Sequence, residues 1–308
     1  MVILTRYINI LKKFNPKDTF RPFSTKIKPR NDEEIAKKRA EVMSKGLPKQ
    51  KPIPGVKNII VVSSGKGGVG KSTTSVNLAV GIKAQNPQKQ VGLLDADVFG
   101  PTIPLMMNLH DTPLLNDHNL MEPLENYGVK CMSMGFLISE GAPVVWRGLM
   151  VMQALQKLMR QVAWGQIDYL IVDTPPGTGD THLSLAQNLP ITGALLVTTP
   201  QTAAVEVTKR GAVMYEKLKV PVVGIVENMS SVKCPACLND VQLFGNASQQ
   251  FSESMGIDLV ARVPLEKEIS SGSDNGVPIV IGKPKCGVSL EYFKLGDVII
   301  RFCDNKST

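Results

Sequence analysis

Residues 65–72 read GKGGVGKS, and this run limits what the chain can fold into more tightly than any other. The pattern G-x-x-x-x-G-K-S needs glycine where the backbone bends sharply enough to turn successive N–H groups toward the phosphates of a nucleotide. Lys71 suits the β- and γ-phosphates, the Ser72 hydroxyl suits Mg²⁺, and a following helix presents its positive N-terminal end to the same anion. The flanks agree. Residues 58–63 (NIIVVS) are a short β-branched run, and residues 72–83 (STTSVNLAVGIK) repeat apolar side chains at helical spacing. A glycine-rich turn that binds nothing has no need of a strand before it and a helix after it. Gly65, Lys66, Gly67, Gly68, Val69, Gly70, Lys71, Ser72 and Thr73 are therefore the expected nucleotide contacts.

Beyond the loop, apolar strand-like runs alternate with helix-like stretches, the rhythm of an α/β fold with a mainly parallel sheet covered by helices on both faces. Strands are expected at 91–94, 169–172, 194–198, 222–226 and 259–263. In open sheets of this kind ligands collect at the carboxyl ends of the strands. Asp95 closes VGLLD and Asp97 follows within DADVFGP; alternation along an extended chain points both carboxylates toward one metal-phosphate centre. Asp173 closes YLIVD before TPPGTGD and fits the acid that holds Mg²⁺ through water. Gly177 and Gly179 behind two prolines give a backbone-rich loop suited to sensing a γ-phosphate. Any one of these acids alone is equally a helix cap or turn residue; three of them after strands argue for one site.

With 308 residues, 43% of them apolar, the chain has ample length for one large α/β domain. Its net charge of +8 is uneven: the first 30 residues hold eight bases against Asp18, which is +7, and the rest carries only +1. So balanced a body lacks the basic patch of a nucleic-acid binder, and no such partner is expected. Ile3, Tyr7, Ile10, Leu11 and Phe14 fall on one helical face and Arg6, Lys13 and Lys17 on another. This acid-poor amphipathic pattern predicts a mitochondrial transit peptide over residues 1–23, cleaved after Phe23, and hence a matrix location. A basic disordered arm or a membrane-surface helix is the alternative, which allows peripheral membrane contact at most. Nowhere do the roughly 18 consecutive apolar residues of a spanning helix occur. Residues 24–53 read as a short helix (31–45) and a proline-rich linker, residues 54–303 as the domain, and 304–308 as a tail. Gly296 weakens an expected last helix over 290–302.

Cys234-Pro235-Ala236-Cys237 lies directly after the strand at 222–226. Two thiolates so spaced can ligate a metal or a cluster, but structural zinc and cubane clusters take four. One chain thus supplies half a site, and a twofold dimer supplies the other half. Thiolates suit iron-sulfur and zinc alike. CPxC also occurs as a redox motif opening a small domain, a setting unlike this one, and a disulfide is disfavoured in a reducing compartment. Cys131, Cys286 and Cys303, and His110, His118 and His182, are scattered without ligand spacing. Residues 150–162, after Trp146-Arg147-Gly148, carry a methionine-rich stripe that suits core packing better than a client surface; Arg147 is a candidate interface residue.

Lys66, directly after the first glycine, resembles the signature lysine of the deviant-Walker P-loop ATPases, which include the septum-site protein MinD, the partition ATPases and the nitrogenase iron protein. The resemblance implies that Lys66 reaches across a homodimer to the partner's nucleotide; a lysine that only solvates the loop is the alternative. From about residue 46 to 302 the chain resembles the Mrp subfamily of these ATPases, through GLPKQKPI, SGKGGVGKST, LLDADVFGPTIP, VDTPPGTGD, VENMS and CPAC in order. Within it the chain is most similar to the mitochondrial nucleotide-binding-protein-like (NUBPL-type) iron-sulfur carriers for complex I assembly. The resemblance implies a single MinD/Mrp-like P-loop domain that binds ATP, Mg²⁺ and a 4Fe-4S cluster. Lys66, Lys71 and Asp97 would serve catalysis, with Asp97 positioning the attacking water. Asp95, Asp173 and Ser72 would serve Mg²⁺, and Asn228 and Pro264 the adenine. Cys234 and Cys237 would hold a cluster shared across the homodimer. ATP hydrolysis would be weak and secondary to handing the cluster to apo-proteins, respiratory complex I subunits foremost. The four-cysteine cluster that cytosolic relatives carry near their N-terminus has no counterpart here. A positioning ATPase, a zinc-bridged dimeric ATPase and an electron-transfer reductase are the rival readings.

Overall fold

Ile60, Val61 and Val62 are fully buried on β1 (Val56–Ser64), as uninterrupted β-branched runs must be when a strand is covered on both faces. A computed structural model of the chain describes residues 50–137, 148–237 and 239–307. After β1 come α1 (Lys71–Gln85), β2 (Val91–Asp95), α2 (Ile103–Met106), β3 (Leu124–Asn126) and β4 (Val129–Ser133). Then follow α3 (Gly148–Arg160), β5 (Ile167–Asp173), α4 (Asp180–Asn188), β6 (Gly193–Thr198), α5 (Thr202–Lys217) and β7 (Val222–Asn228). The last elements are β8 (Val232–Lys233), β9 (Asp240–Val241), α6 (Ala247–Met255), β10 (Leu259–Val263), α7 (Lys267–Asp274), α8 (Ile279–Gly282) and α9 (Gly287–Ser307).

Eight strands form one sheet in the order β10-β7-β6-β1-β5-β2-β4-β3, and β8 with β9 forms a separate two-stranded ladder. All pairs in the large sheet are parallel except β3 with β4, so the α/β reading of the sequence holds. β1 runs between β5 and β6, and its carboxyl end is the crevice where the chain departs in both directions. The register there is what positions the site: Val62 stands beside Asp173, Asp173 beside Asp95, and Asp95 beside Ser133.

The six strands expected from apolar runs are all present. β3 and β4 were not expected, because VKCMS mixes a lysine and a serine into a strand near the sheet's edge and β3 has only three residues. On α3, Val151, Ala154, Leu155 and Leu158 are buried at helical spacing, so the stripe there packs a core. Gly296 sits inside α9, where an added Cβ would stand 3.2 Å from Ile82 of α1; the glycine lets two helices approach rather than ending one. α9 continues through residues 304–307 as helix, with Lys306 donating to the Thr192 carbonyl at 2.8 Å, so the expected tail belongs to the packed domain. Upstream of residue 54, Ile53 is buried, Lys51 N–H donates to Asn188 O, and the Arg160 guanidinium donates to the carbonyls of Lys51 and Pro52. The linker's end is therefore a docked strap. The expected transit peptide, the 31–45 helix and Arg147 lie outside the described residues. Among the described residues no helix is long and apolar enough to cross a membrane.

Candidate functional site

Three of the four glycines of residues 65–72 answer a specific crowding or torsion, Gly67 being the exception. Gly68 and Gly70 have φ of +78° and +86°, a region that costs any residue with a Cβ. Gly65 lies against α5, where an added Cβ would stand 2.5 Å from the Thr208 nitrogen, and at Gly70 it would stand 2.0 Å from Nδ2 of Asn228. Gly70 caps α1, whose first turn holds no acid, so nothing on the helix competes for its positive end. Val69 is buried beneath the loop, Thr73 is half-buried, and Gly67, Gly68 and Lys66 are exposed at its tip.

Lys71 is 6% exposed and its ammonium pairs with Asp173 at 2.8 Å, with Asp97 at 4.0 Å. Asp173 is fully buried and accepts from Ser72 Oγ at 2.6 Å and Ser75 Oγ at 2.7 Å. Ser75 was not expected here; it lies one turn beyond Lys71 on the same helical face. Asp95 is buried one strand away. Its Oδ1 accepts from the Asp97 N–H at 3.1 Å and its Oδ2 from Ser133 Oγ at 2.9 Å and Ile103 N–H at 3.4 Å. These bonds fold the chain after β2 back on itself. The chain is thus no longer extended at Asp97, and the alternation expected of Asp95 and Asp97 does not set where the two carboxylates point. Asp95 instead shapes the loop that carries Asp97 toward Lys71.

Burial pushes the Asp95 pKa up to about 8, with the Asp173 charge acting the same way, against the Ser133 hydroxyl and the Lys71 charge. Burial also raises Asp97, opposed by Lys71. Oxygen donors of this kind, with one lysine among them, fit Mg²⁺, which keeps several waters and takes only one or two carboxylates from a protein. Ser72 and Asp173 are the adjacent pair among them.

His182, on the first turn of α4, sits at the root of this cluster. Its Nε2 is 3.2 Å from Ser63 Oγ and 3.1 Å from Thr174 Oγ1. Thr174 spends its own proton on the Val62 carbonyl, so Nε2 carries the hydrogen toward it. Burial, helped by the Lys71 charge, lowers the His182 pKa to about 4, leaving a neutral ring that ties the end of β1 to the end of β5. An isolated histidine gives no spacing signal, and only the fold reveals this role. Beside it a cavity of about 930 Å³ is lined by Asp97, Phe99, Pro175, Pro176, Gly179 and His182, among others.

Asn228 ends β7 with its amide buried against the loop, Nδ2 donating to the Val69 carbonyl at 2.8 Å. One of its donors is thus committed to bracing the loop. Pro264, just after β10, lines a second cavity of about 1030 Å³ together with Pro200, Glu227, Lys233, Asp240 and Gln242. That cavity adjoins the cysteine hairpin. The β8–β9 ladder pairs Val232 with Val241 and Lys233 with Asp240, and Cys234 N–H donates to the Asn239 carbonyl at 2.9 Å. At its tip the Cys237 and Ala236 N–H groups and the Cys237 thiol hydrogen-bond to the Cys234 sulfur, which holds that thiol below its ordinary pKa. The two sulfurs therefore share one small turn. Among the described residues no group of three or more His, Cys, Asp or Glu side chains gathers to hold a metal ion.

The model of the "ParA: NUBPL iron-transfer P-loop NTPase" family matches residues 55–300. The chain is 52% identical over 270 residues to the mouse iron-sulfur cluster transfer protein NUBPL, covering 87% of this chain and 85% of that one. To the Arabidopsis thaliana protein named as an iron-sulfur protein required for NADH dehydrogenase, mitochondrial, it is 49% identical over 248 residues, covering 80% and 79%. Among solved structures, a nucleotide-binding protein from Archaeoglobus fulgidus in complex with ADP superposes with a TM-score of 0.66 at 34% identity, covering 78% of this chain and 93% of that one. The cell division ATPase MinD of Pyrococcus furiosus superposes with a TM-score of 0.59 at 21% identity over 80% and 99%, a likeness of fold.

Proposed function

This chain belongs to the NUBPL iron-transfer P-loop NTPase family, and we propose that it carries a 4Fe-4S cluster between two copies of itself and delivers it, under ATP control, to apo-proteins. The recipients are subunits of respiratory complex I, in keeping with the name of the Arabidopsis relative, and the N-terminal basic segment is the transit peptide that takes the chain to the mitochondrial matrix. The observation that carries this reading is one short stretch of chain. Asn228 braces the phosphate loop, and six residues later Cys234 begins a two-thiolate turn that is half of a cluster's ligand set.

In this reading Lys71 and the N-terminus of α1 hold the β- and γ-phosphates, and Lys66, exposed at the loop tip, meets the nucleotide of the partner copy. Ser72 and Asp173 hold Mg²⁺, which supplies charge neutralisation to the phosphate oxygens. Asp97, carried by the loop that Asp95 shapes, orients the attacking water. Hydrolysis is slow, because a carrier needs lifetime in its loaded and unloaded states more than turnover. Asn228 and Pro264 bound the base.

Anaerobic purification with iron, sulfide and zinc quantified per chain tests the reading. Expected are four irons and four sulfides per two chains, lost in Cys234→Ser with ATP affinity unchanged, and transfer to an apo-acceptor. Stoichiometric zinc with no iron, or a metal-free monomer under nucleotide, overturns it.

A further inference from the structure

The cysteine hairpin has two chemically distinct faces. Lys233, Asp240 and Gln242 line the 1030 Å³ cavity, as do Pro264 and Glu266 of the neighbouring loop. Val232 and Val241, paired with each other, alternate with these to the opposite face of the ladder; Leu243 and Leu265, just beyond the strands, stay out of the cavity as well, and the Leu265 N–H bonds the Ser231 carbonyl beside Val232. Val241, Leu243 and Leu265 are 43%, 51% and 44% exposed. Cys234 stands two residues beyond Val232 with the ladder still paired at its N–H, so the thiolate turn rises from this apolar face.

We propose that this face, Val232, Val241, Leu243 and Leu265, is the seam on which a second copy of the chain docks, closing a dry collar around the shared cluster. The inference rests on the preceding reading that two copies share one cluster, and adds which surface meets. Two thiolates per chain leave the ligand set incomplete, so the surface beside them must meet another set of donors. A twofold contact sets the same patch against itself. A charged patch repels its own image, whereas these four side chains carry no charge and bury apolar area on both sides at once. The polar face, with Lys233 and Asp240, is turned away from the seam. Apolar surroundings also govern how water reaches a metal centre, so the collar sets how long the cluster is kept before transfer.

The test loads wild type, Val241→Asp, Leu243→Asp and the opposite-face control Asp240→Asn with cluster anaerobically. Each is then followed for iron and sulfide per chain, dimer mass with ATP, cluster loss to a chelator, and ATP affinity. Expected is wild-type ATP affinity in the two apolar-face variants, and in both a chelator loss rate raised about tenfold or more, the factor carried by one buried apolar side chain. The control should match wild type. If the apolar-face variants keep their cluster and dimer as wild type does, the seam is wrong while the shared cluster stands. If they keep both but slow transfer to an acceptor, the face meets a recipient and the proposal is overturned. Equal damage from Asp240→Asn removes the face-specificity and overturns it too. A wild type that holds no cluster between two chains sinks the preceding reading, and this one with it.

Discussion

Gly70→Ala probes the contact that joins the phosphate loop to β7. Alanine at φ +86° costs about 1–2 kcal/mol of left-handed strain. The new methyl would also stand 2.0 Å from Asn228 Nδ2, so that side chain must leave. Its departure breaks the buried 2.8 Å bond to the Val69 carbonyl, worth about 1–3 kcal/mol when a buried group is left unpaired. The single variant should therefore lose about 2–5 kcal/mol. In Asn228→Ala the bond is already gone and the methyl finds room, so adding Gly70→Ala costs only the torsional part. The cycle predicts a coupling of about 1–3 kcal/mol, measured from urea midpoints with unchanged slopes. Strictly additive losses, or a Gly70→Ala midpoint within about 0.5 kcal/mol of wild type, would show that Asn228 does not brace the loop.

Two further results follow from burial. Asp95 keeps its proton in the folded chain up to about pH 8 but loses it near about pH 4 when unfolded. Folding therefore takes up a proton between these values, and stability falls as pH rises through the window, by at most about 1.4 kcal/mol per pH unit. His182 acts oppositely: it is neutral down to about pH 4 when folded and protonated below about pH 6.5 when unfolded, so it removes stability as pH falls from 6.5 to 4. Wild type minus Asp95→Asn should thus decline from pH 4 to 8, and wild type minus His182→Gln should rise from pH 4 to 6.5, in parallel denaturation series; parallel curves for wild type and either variant refute the assignment. Gly296→Ala should be nearly neutral, since Ile82 yields a few tenths of an ångström against a 3.2 Å contact while helix propensity improves by about 1 kcal/mol. Gly296→Leu should cost about 1–3 kcal/mol by overpacking α1, and equal midpoints for the two would show that these helices are not in close contact.

The phosphate loop, its strand and its helix are legible because each imposes a local rule on residue type: glycine at positive φ, unbroken apolar residues on a strand buried on both faces, and Lys-Ser at a helix start. Asp173 is legible for the same reason, closing an apolar strand. What the residues hide is tertiary. Ser133 looks inert until β4 is placed beside β2, and His182 has no partner in sequence because Ser63 lies 119 positions away. Alternation misplaces Asp97, because that rule lapses where the chain turns back onto Asp95. The two faces of the cysteine hairpin leave no periodic trace, because each strand of the ladder is two residues long.

That brevity bears on how a carrier releases its cargo. The residues around Lys71 lie at the ends of long central strands, with Asp173 and Asp95 almost wholly buried, so their geometry is fixed by the core. Cys234 and Cys237 sit instead on a ladder of two pairs, half-exposed and exposed respectively. A ladder that short contributes little stability of its own. If the two sulfurs hold a cluster as proposed, binding it would also order the hairpin, which lowers net affinity without weakening the iron-thiolate bonds themselves. In the proposed reading, separating the second copy would expose the apolar face and remove half of the ligands in one step. On the same reading, a nucleotide site fixed by the core and joined through Asn228 to a cargo site on a two-pair ladder would let a modest change at the phosphate loop decide whether the cluster is kept, since opening two ladder pairs costs little compared with opening the central sheet.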